Sequence, residues 1–420
     1  MAKVTNEFFT VAEAAQHLKV SSDTIRRWSK KGLIQASKGE HGERLFQRKE
    51  LERHLSKNSA HDRGWEVLKC SKSKLNVIEL FCGAGGLALG LNNAGFKTEL
   101  VVDIDKNSIE TVKLNCPEWD AKCMSVTDLD LSAYRGKVDV LAGGFPCQAF
   151  SYAGNKLGFG DTRGTLFYEF ARLIKQVQPK MVLGENVRGL VTHDAGRTLQ
   201  VMKRELELLG YRVNYKVLRS QFLDVPQKRE RLIIFAVRND LNSEIVFPTE
   251  KNYVVSIRAA LKKVPKSDGQ TYSLVKKKIM EKIPEGGYWR DLPEKLQRSY
   301  MGASHFMGGG KTGMARRLSW DEPSLTLTCN PAQKQTERCH PSETRPLTTR
   351  EYARIQCFPD HWKFAGSTSS VYKQIGNAVP VNLGYHIGLA IRKMLNDYPK
   401  NPKSPALLAP INEKQLFLFD

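Results

Sequence analysis

The run Leu75-Asn76-Val77-Ile78-Glu79-Leu80-Phe81 passes directly into Cys82-Gly83-Ala84-Gly85-Gly86. An apolar, β-forming run that ends on clustered glycines predicts a strand, a tight turn and a helix start. Glycine takes the left-handed conformations such a turn needs and lets backbone approach closely. Strand-like runs recur at 100–102, 138–142, 181–183 and 232–235, and helical stretches such as 167–177 and 197–209 separate them. This alternation predicts an α/β fold, a Rossmann-like, mostly parallel sheet covered on both faces. Sheets of that kind place ligands at the carboxyl ends of their strands, so the residues just past each strand are the functional candidates.

Four groups of residues occupy such positions. The first is the glycine turn itself, with Gly83, Gly85 and Gly86, followed by Asp103 about twenty residues on, where an acid suits ribose hydroxyls. Dinucleotide sites and S-adenosylmethionine sites share this turn and acid, and the turn alone does not choose between them. The second is Cys147 in Gly144-Phe145-Pro146-Cys147-Gln148-Ala149-Phe150-Ser151, after the strand at 138–142. The third is Glu185 in Gly184-Glu185-Asn186-Val187, and the fourth is Gln227-Lys228-Arg229-Glu230-Arg231, where a period of two puts Arg229 and Arg231 on one face.

Together these side chains fit covalent attack on a nucleobase. A thiolate is a strong nucleophile even though only a few per cent is present at pH 7. Its addition to C6 of cytosine turns the ring into an enamine with an electron-rich C5, which can accept a methyl group from a sulfonium donor. A partly desolvated glutamic acid can donate a proton at N3. One arginine can hydrogen-bond O2 while the other holds Glu185 or a phosphate. Stacking hides C6, so the base must be extruded from the duplex. Gly154, Gly158 and Gly160 give the segment after Cys147 the means to hinge over DNA. Gln148, Ser151 and Arg163, in and just beyond that segment, are candidate DNA contacts.

The charge agrees. With 65 basic and 44 acidic residues the chain carries a formal +21, which makes nucleic acid the leading partner, ahead of an anionic membrane surface. No apolar run approaches the roughly 20 residues that span a bilayer, and Met1-Ala2-Lys3-Val4-Thr5 lacks a secretory pattern. A cytoplasmic, nucleoid-associated protein is expected. The eight cysteines form no Cys-x-x-Cys pair, so no metal site is expected.

Residues 1–55 read as a separate small unit. Thr10-Val11-Ala12-Glu13 is a capping box, Ser21 or Ser22 caps a second helix, and Gly32 ends it. Residues 38–46 can turn a small β-wing. The run Ile25 to Ile34 resembles the winged helix-turn-helix of the MerR and excisionase type, with Arg26, Arg27 and Lys30 as candidate DNA contacts. Beyond it come a polar linker (56–73), a catalytic domain (74–244), and a lysine- and glycine-rich region of expected irregular β character (245–340). A return to the first domain (341–396) and a loose tail (397–420) complete the chain. Arg316, Arg317 and Gly308-Gly309-Gly310 are candidates for reading base edges.

The motifs in 75–395 together resemble the DNA (cytosine-5)-methyltransferases of bacterial restriction-modification systems. The match adds Asp161-Thr162-Arg163-Gly164-Thr165-Leu166-Phe167, Arg350-Glu351-Tyr352-Ala353-Arg354-Ile355-Gln356 and Gln374-Ile375-Gly376-Asn377-Ala378-Val379-Pro380 to those above. The resemblance implies S-adenosylmethionine as cofactor and Cys147 as nucleophile. It makes Glu185 the base anchor and acid, Arg231 the O2 contact and Arg229 its support. It implies Phe81, Asp103 and Ile104 against the adenosine, Asn377 and Ala378 around the methionine part, and 245–340 as target-recognition domain. Many members set an aspartate against the adenine amine. This chain has Ser125, beside Val126, and a serine hydroxyl can accept that hydrogen bond. One branch of the family acts on tRNA. The long 245–340 region and the helix-turn-helix favour double-stranded DNA, with a monomer on DNA and a cognate restriction endonuclease as expected partner.

Overall fold

In a computed structural model the described residues are 8–18, 22–30, 34–39, 42–51, 64–146, 166–306 and 311–410. The central sheet comprises β4 (Asn76–Leu80), β5 (Lys97–Asp103), β6 (Asp120–Cys123), β7 (Val140–Gly143), β8 (Met181–Val187), β9 (Tyr211–Arg219) and β11 (Glu230–Arg238). Its strand order is β6-β5-β4-β7-β8-β11-β9. The pairs from β6 through β8 are parallel, whereas β11 runs antiparallel to both β8 and β9. That reversal matters for function. It brings the start of β11 to the carboxyl edge of β8, with Arg231 opposite Val187 and Ile233 opposite Glu185.

Two cores flank the sheet, and alternation along each strand assigns residues to them. Val77, Val140, Leu183 and Ile233 join one core with α3 (Gly86–Asn93) and the late helix α12 (Val381–Met394). Ile78, Leu141, Val182 and Leu232 join the other, with α5 (Leu166–Val177) and α6 (Arg197–Leu208). The strand order reverses direction between β4 and β7, which opens a crevice at their carboxyl ends. The glycine turn borders it on one side and Gly144-Phe145-Pro146 on the other.

Helices α3 and α12 meet through glycine. A Cβ on Gly90 would lie 2.5 Å from the Val381 carbonyl oxygen and 2.7 Å from the Gly384 Cα. A Cβ on Gly388 would lie 2.5 Å from the Ala94 Cβ. Between these helices in sequence, α4 (Lys106–Asn115) follows β5, capped by the Asp105 carboxylate on the Ser108 N–H.

Residues 245–340 differ from the expected irregular β region. The described part is mostly short helices and turns, with α7 (Ile257–Leu261), α8 (Leu274–Met280) and α9 (Glu294–Met301). Strands are confined to β12 (Val246–Pro248) and the two-residue β13 (Ser324–Leu325), which pairs with β10 (Gln227–Lys228). The lysine run 276–278 lies in α8, whose Ser273 hydroxyl caps the Lys276 N–H. Met280, Tyr288, Trp289, Leu292, Met301 and Met314 form this region's own small core. The chain returns through α10 (Thr349–Ile355) and α11 (Thr368–Asn377), each with a hydroxyl N-cap.

The described parts of the expected linker and of the tail expected to be loose are both held. In the linker, Leu68 is fully buried, its N–H donates to Asn382 Oδ1 at 3.0 Å, and Trp65 stacks on the Arg354 guanidinium. In the tail, β14 (Leu408–Pro410) pairs with β12, and Ser404 donates to Asp224 Oδ2 at 2.7 Å. Asp224 is buried and also meets Lys251 Nζ and His386 Nε2. A polar sequence hid both dockings because one or two buried side chains carry each.

The N-terminal unit has β1 (Phe8–Thr10), α1 (Val11–His17), α2 (Ser22–Lys30), β2 (Ser37–Lys38) and β3 (Arg44–Gln47). Thr10 and Glu13 form the expected capping box. β2 and β3 pair as the small wing, and β1 adds to the other side of β3. Ile25, Ile34 and Phe46 close its core.

Replacing Gly90 by alanine sets a helix-propensity gain of about 1 kcal/mol against overpacking of backbone that cannot yield, typically about 1–3 kcal/mol. The clash wins, and the urea midpoint falls. Gly64→Ala, where nothing lies within 4 Å of an added Cβ, leaves the midpoint where it was.

Candidate active site

At the crevice, the glycine turn holds Phe81, Gly83 and Gly85 at positive φ (58°, 51° and 80°). For phenylalanine that conformation is strained, and strain of this kind gathers at ligand sites. Gly83 has open space where a side chain would stand. Its N–H donates to Asp103 Oδ2 at 2.8 Å, and the Asp105 N–H donates to Asp103 Oδ1 at 2.8 Å. Asp103 therefore fixes the turn as well as lining it. The next residue, Ile104, is 74% exposed, a large apolar side chain left in the open at a strand end. On the far wall, a Cβ on Gly86 would sit 2.4 Å from the Val379 carbonyl oxygen and 3.1 Å from the Ala378 Cβ. Asn377 is exposed beside it, and Cys329 Sγ donates to its Oδ1 at 3.1 Å.

On the other side of the crevice, Glu185 and Arg231 form an ion pair, Nε to Oε1 2.8 Å, with each side chain 12% exposed. Burial raises the Glu185 carboxyl above the usual range, against the pull of Arg231 and Arg229. Burial also lowers the Arg231 guanidinium from its ordinary value. A Cβ on Gly144 would lie 3.1 Å from Glu185 Oε2, so the absence of a side chain there keeps this oxygen's surroundings open. Asn186, one residue on, is buried and donates to the Phe145 carbonyl oxygen at 2.8 Å. The Glu-Asn pair thus presents an acid and, with its second residue, anchors the backbone two residues before Cys147. Sequence reasoning passed over Asn186 and Gly144. Their adjacency to the two motifs was the available signal.

Arg229 takes a different position from Arg231. It is 2% exposed and donates to Leu327 O at 3.2 Å and Gly376 O at 3.0 Å. Burial pushes its guanidinium down to about 9. It ties the sheet to the 245–340 region and to α11. The neighbouring Gln227 reaches the same region and the end of α10: its Nε2 donates to Gln356 Oε1 at 2.9 Å, and its Oε1 accepts from the Leu327 N–H. Beyond Arg231 opens a cavity of 520 Å³, lined among others by Val187, Arg188, Arg219, Lys228, Arg229 and Arg231. Several of these cations have carboxylate partners, Arg188 with Glu230 at 2.8 Å and Lys228 with Glu322 at 2.6 Å.

A match to the family model for C-5 cytosine-specific DNA methylases covers residues 75–393. The chain belongs to the C-5 cytosine-specific DNA methylases. A helix-turn-helix family model matches residues 8–59. Type II methyltransferase M.Eco47II of Escherichia coli is 52% identical over 95% of this chain and 99% of its own. M.PspPI of a Psychrobacter strain is 50% identical over the same shares. A solved structure from E. coli, described as a prophage-encoded DNA modification methyltransferase, superposes with TM-score 0.57 and 25% identity over 77% of this chain and all of its own. The methylase is thus a DNA cytosine-5 methyltransferase that uses S-adenosylmethionine.

The residues of the crevice fit that cofactor. The bare Gly83 backbone, the carboxylate of Asp103, the exposed Ile104 and the exposed Asn377 amide offer close approach, hydroxyl acceptors, an apolar stacking face and a polar contact. Other expectations fare differently. Arg317 is 5% exposed and spends its guanidinium on the carbonyls of Met280, Ile283, His340 and Glu343. Arg316 is 6% exposed, with its guanidinium over the Tyr288 ring. Neither is placed to read a base edge; burial has made both structural. Arg26 is exposed on α2. Cys147, Gln148, Ser151, Arg163, Gly308 to Gly310, and the side chains of Arg27 and Lys30 lie outside the described residues. Among the described residues no helix is long and apolar enough to cross a membrane, and no cluster of His, Cys, Asp and Glu could hold a metal ion.

Because the folded Glu185 carboxyl binds its proton more tightly than an ordinary glutamate, its contribution to stability is present below the ordinary value and lost as pH rises through the raised one. Arg231→Gln removes the largest opposing influence. It moves Glu185 protonation to still higher pH, read by carboxyl NMR of the labelled enzyme; an unmoved titration would show that the pair is not coupled.

Proposed function

We propose that Cys147 is the nucleophile, Glu185 the acid and Arg231 the O2 contact for an extruded cytosine. The buried Glu185–Arg231 pair carries the reading. It lies at the carboxyl edge of β8, next to β7, whose last residue is four positions before Cys147. Asn186 holds Phe145 against that pair, which limits where the following backbone can go. The Cys147 thiolate adds to C6, the charge that builds on the ring is relieved by the Glu185 proton at N3, and C5 becomes electron-rich. When bound, S-adenosylmethionine supplies an electrophilic methyl group. Once C5 has taken that methyl group and the thioether product is left behind, loss of the C5 proton to water, return of the N3 proton to Glu185 and expulsion of the thiolate restore the aromatic ring and the free enzyme.

Phe81, Gly83, Gly85, Gly86, Asp103, Ile104, Ser125, Val126, Asn377 and Ala378 hold the cofactor in this reading. Arg229 acts as a positioning residue, since both of its terminal nitrogens donate to main-chain carbonyls. The 245–340 region selects the DNA sequence. The enzyme works as a monomer on DNA in the cytoplasm, protecting sites that a cognate endonuclease would cut. The resemblance to Type II methyltransferases supports that pairing.

Cys147→Ser removes 5-methylcytosine from host DNA, as read by bisulfite sequencing, and forms no covalent complex with 5-fluorocytosine DNA and cofactor. Full methylation by the variant would end this reading. We further infer that the N-terminal unit binds DNA on its own account, at the enzyme's promoter, from the helix-turn-helix match and the exposed Arg26. Deleting residues 1–60 then raises expression from a promoter fusion while methyl transfer persists; unchanged expression and unchanged DNA affinity would refute it.

A further inference from the structure

In the loop after β6 the hydroxyls of Ser125 and Thr127 and the carboxylate of Asp128 form a directed chain. Thr127 Oγ1 donates to Asp128 Oδ1 at 3.2 Å. Ser125 Oγ and Thr127 Oγ1 are 2.7 Å apart. A carboxylate only accepts. Asp128 therefore takes the Thr127 proton, and Ser125 must be the donor to Thr127. The Thr127 N–H occupies one Ser125 lone pair at 3.3 Å. The hydroxyl has one proton and two lone pairs, so one lone pair remains, and Ser125 behaves as an acceptor only.

The loop is rigid and well placed for a ligand. Val126 is buried, and Arg172 from α5 donates to the carbonyls of Val126 at 2.9 Å and Leu129 at 3.1 Å. Cys123 pairs with Asp103 across the sheet, the Met124 N–H donates to Asp103 O at 3.0 Å, and Cys123 Sγ donates to Ile104 O. Ser125 thus stands beside the acid and the apolar face of the crevice, while Thr127 and Asp128 remain exposed behind it.

We propose that Thr127 and Asp128 are positioning residues that orient Ser125 to accept a hydrogen bond from the exocyclic amine of the cofactor's purine, so that this hydroxyl chain does the work of a carboxylate. The proposal rests on the reading that the purine lies against this loop. An acceptor-only group favours a 6-amino purine and disfavours a 6-oxo purine, whose oxygen it faces without a proton between them.

The test is calorimetric binding of S-adenosylhomocysteine and of S-inosylhomocysteine, its 6-oxo analogue, to the full chain. The wild type prefers the amino ligand. Thr127→Val lets the Ser125 proton turn outward and lowers that preference by roughly 3- to 10-fold, the worth of one neutral hydrogen bond. Asp128→Ala, which leaves the Thr127 hydroxyl in place, lowers it in the same direction. Ser125→Asp added to Thr127→Val restores the preference, because a carboxylate accepts without orientation. A Thr127→Val enzyme with the wild-type ratio overturns the hydroxyl chain. A Ser125→Ala enzyme with the wild-type ratio overturns the purine's placement itself, and the two failures are thereby told apart.

Discussion

The closure of this fold depends on two helices touching without side chains between them. After β11 the chain touches the sheet's core again at β12 and α7, and its main return is through α10, α11 and α12. What makes the return bind is the Gly90–Gly384 approach and the Gly388–Ala94 contact, where backbone meets backbone or a single methyl. The same seam reaches Gly86, the first residue of α3, against Val379 and Ala378. Because the seam is continuous, the glycine turn and the Asn377-Ala378 segment form two walls of one rigid crevice. A cofactor that needs both walls is thus served by residues almost 300 positions apart in sequence, with no hinge between them.

A second constraint is the placement of buried cations. Removing a guanidinium from water is costly, and a buried ion pair seldom returns the whole cost as stability. Arg229 and Arg231 are kept regardless, and they divide the labour. Arg229 holds main chain from the 245–340 region and from α11, which ties the strand edge carrying Arg231 and Glu185 to both. Arg231 holds Glu185. Two guanidinium groups act on one carboxyl, and burial still outweighs them, leaving Glu185 above the ordinary glutamate range. In the proposed reaction Glu185 gives a proton to a ring nitrogen near neutral pH, and an acid in that role needs such a balance.

The sequence made much of this legible. The strand at 75–81, the glycine turn, the helix after Pro380 and the capping box at Thr10 all carry local signals, and each appears where local chemistry puts it. The antiparallel reversal of β11 was not legible, because alternation along a strand says nothing of its direction. Yet this reversal alone brings Arg231 to the edge where Glu185 ends. Period two also failed at Arg229. The backbone tightens there, with the Arg229 N–H donating to Gln227 O at 2.9 Å, so the residue sits between β10 and β11 and outside the alternation. Arg316 and Arg317 show the limit from the other side. Charge type alone cannot distinguish an arginine that reads DNA from one that gathers carbonyls in a small core, and the distinction lies in contacts 23 or more residues away.

One carboxyl joins the two halves of the crevice. Glu79 points from β4, the strand between the cofactor wall and the base wall, and is buried. Burial pushes its pKa well up, and Asp103 on one side and Glu185 on the other push the same way. A further negative charge on Glu79, between these two carboxyls, is costly in so little water. Both influences favour the protonated form of Glu79, the form that adds no charge between its neighbours. Asp103 is then left to organise the glycine turn, and Glu185 to answer to the two arginines. The acid that looks idle, with no hydrogen-bond partner for its Oε2, thus stands where the two sides of the crevice meet on a single strand edge.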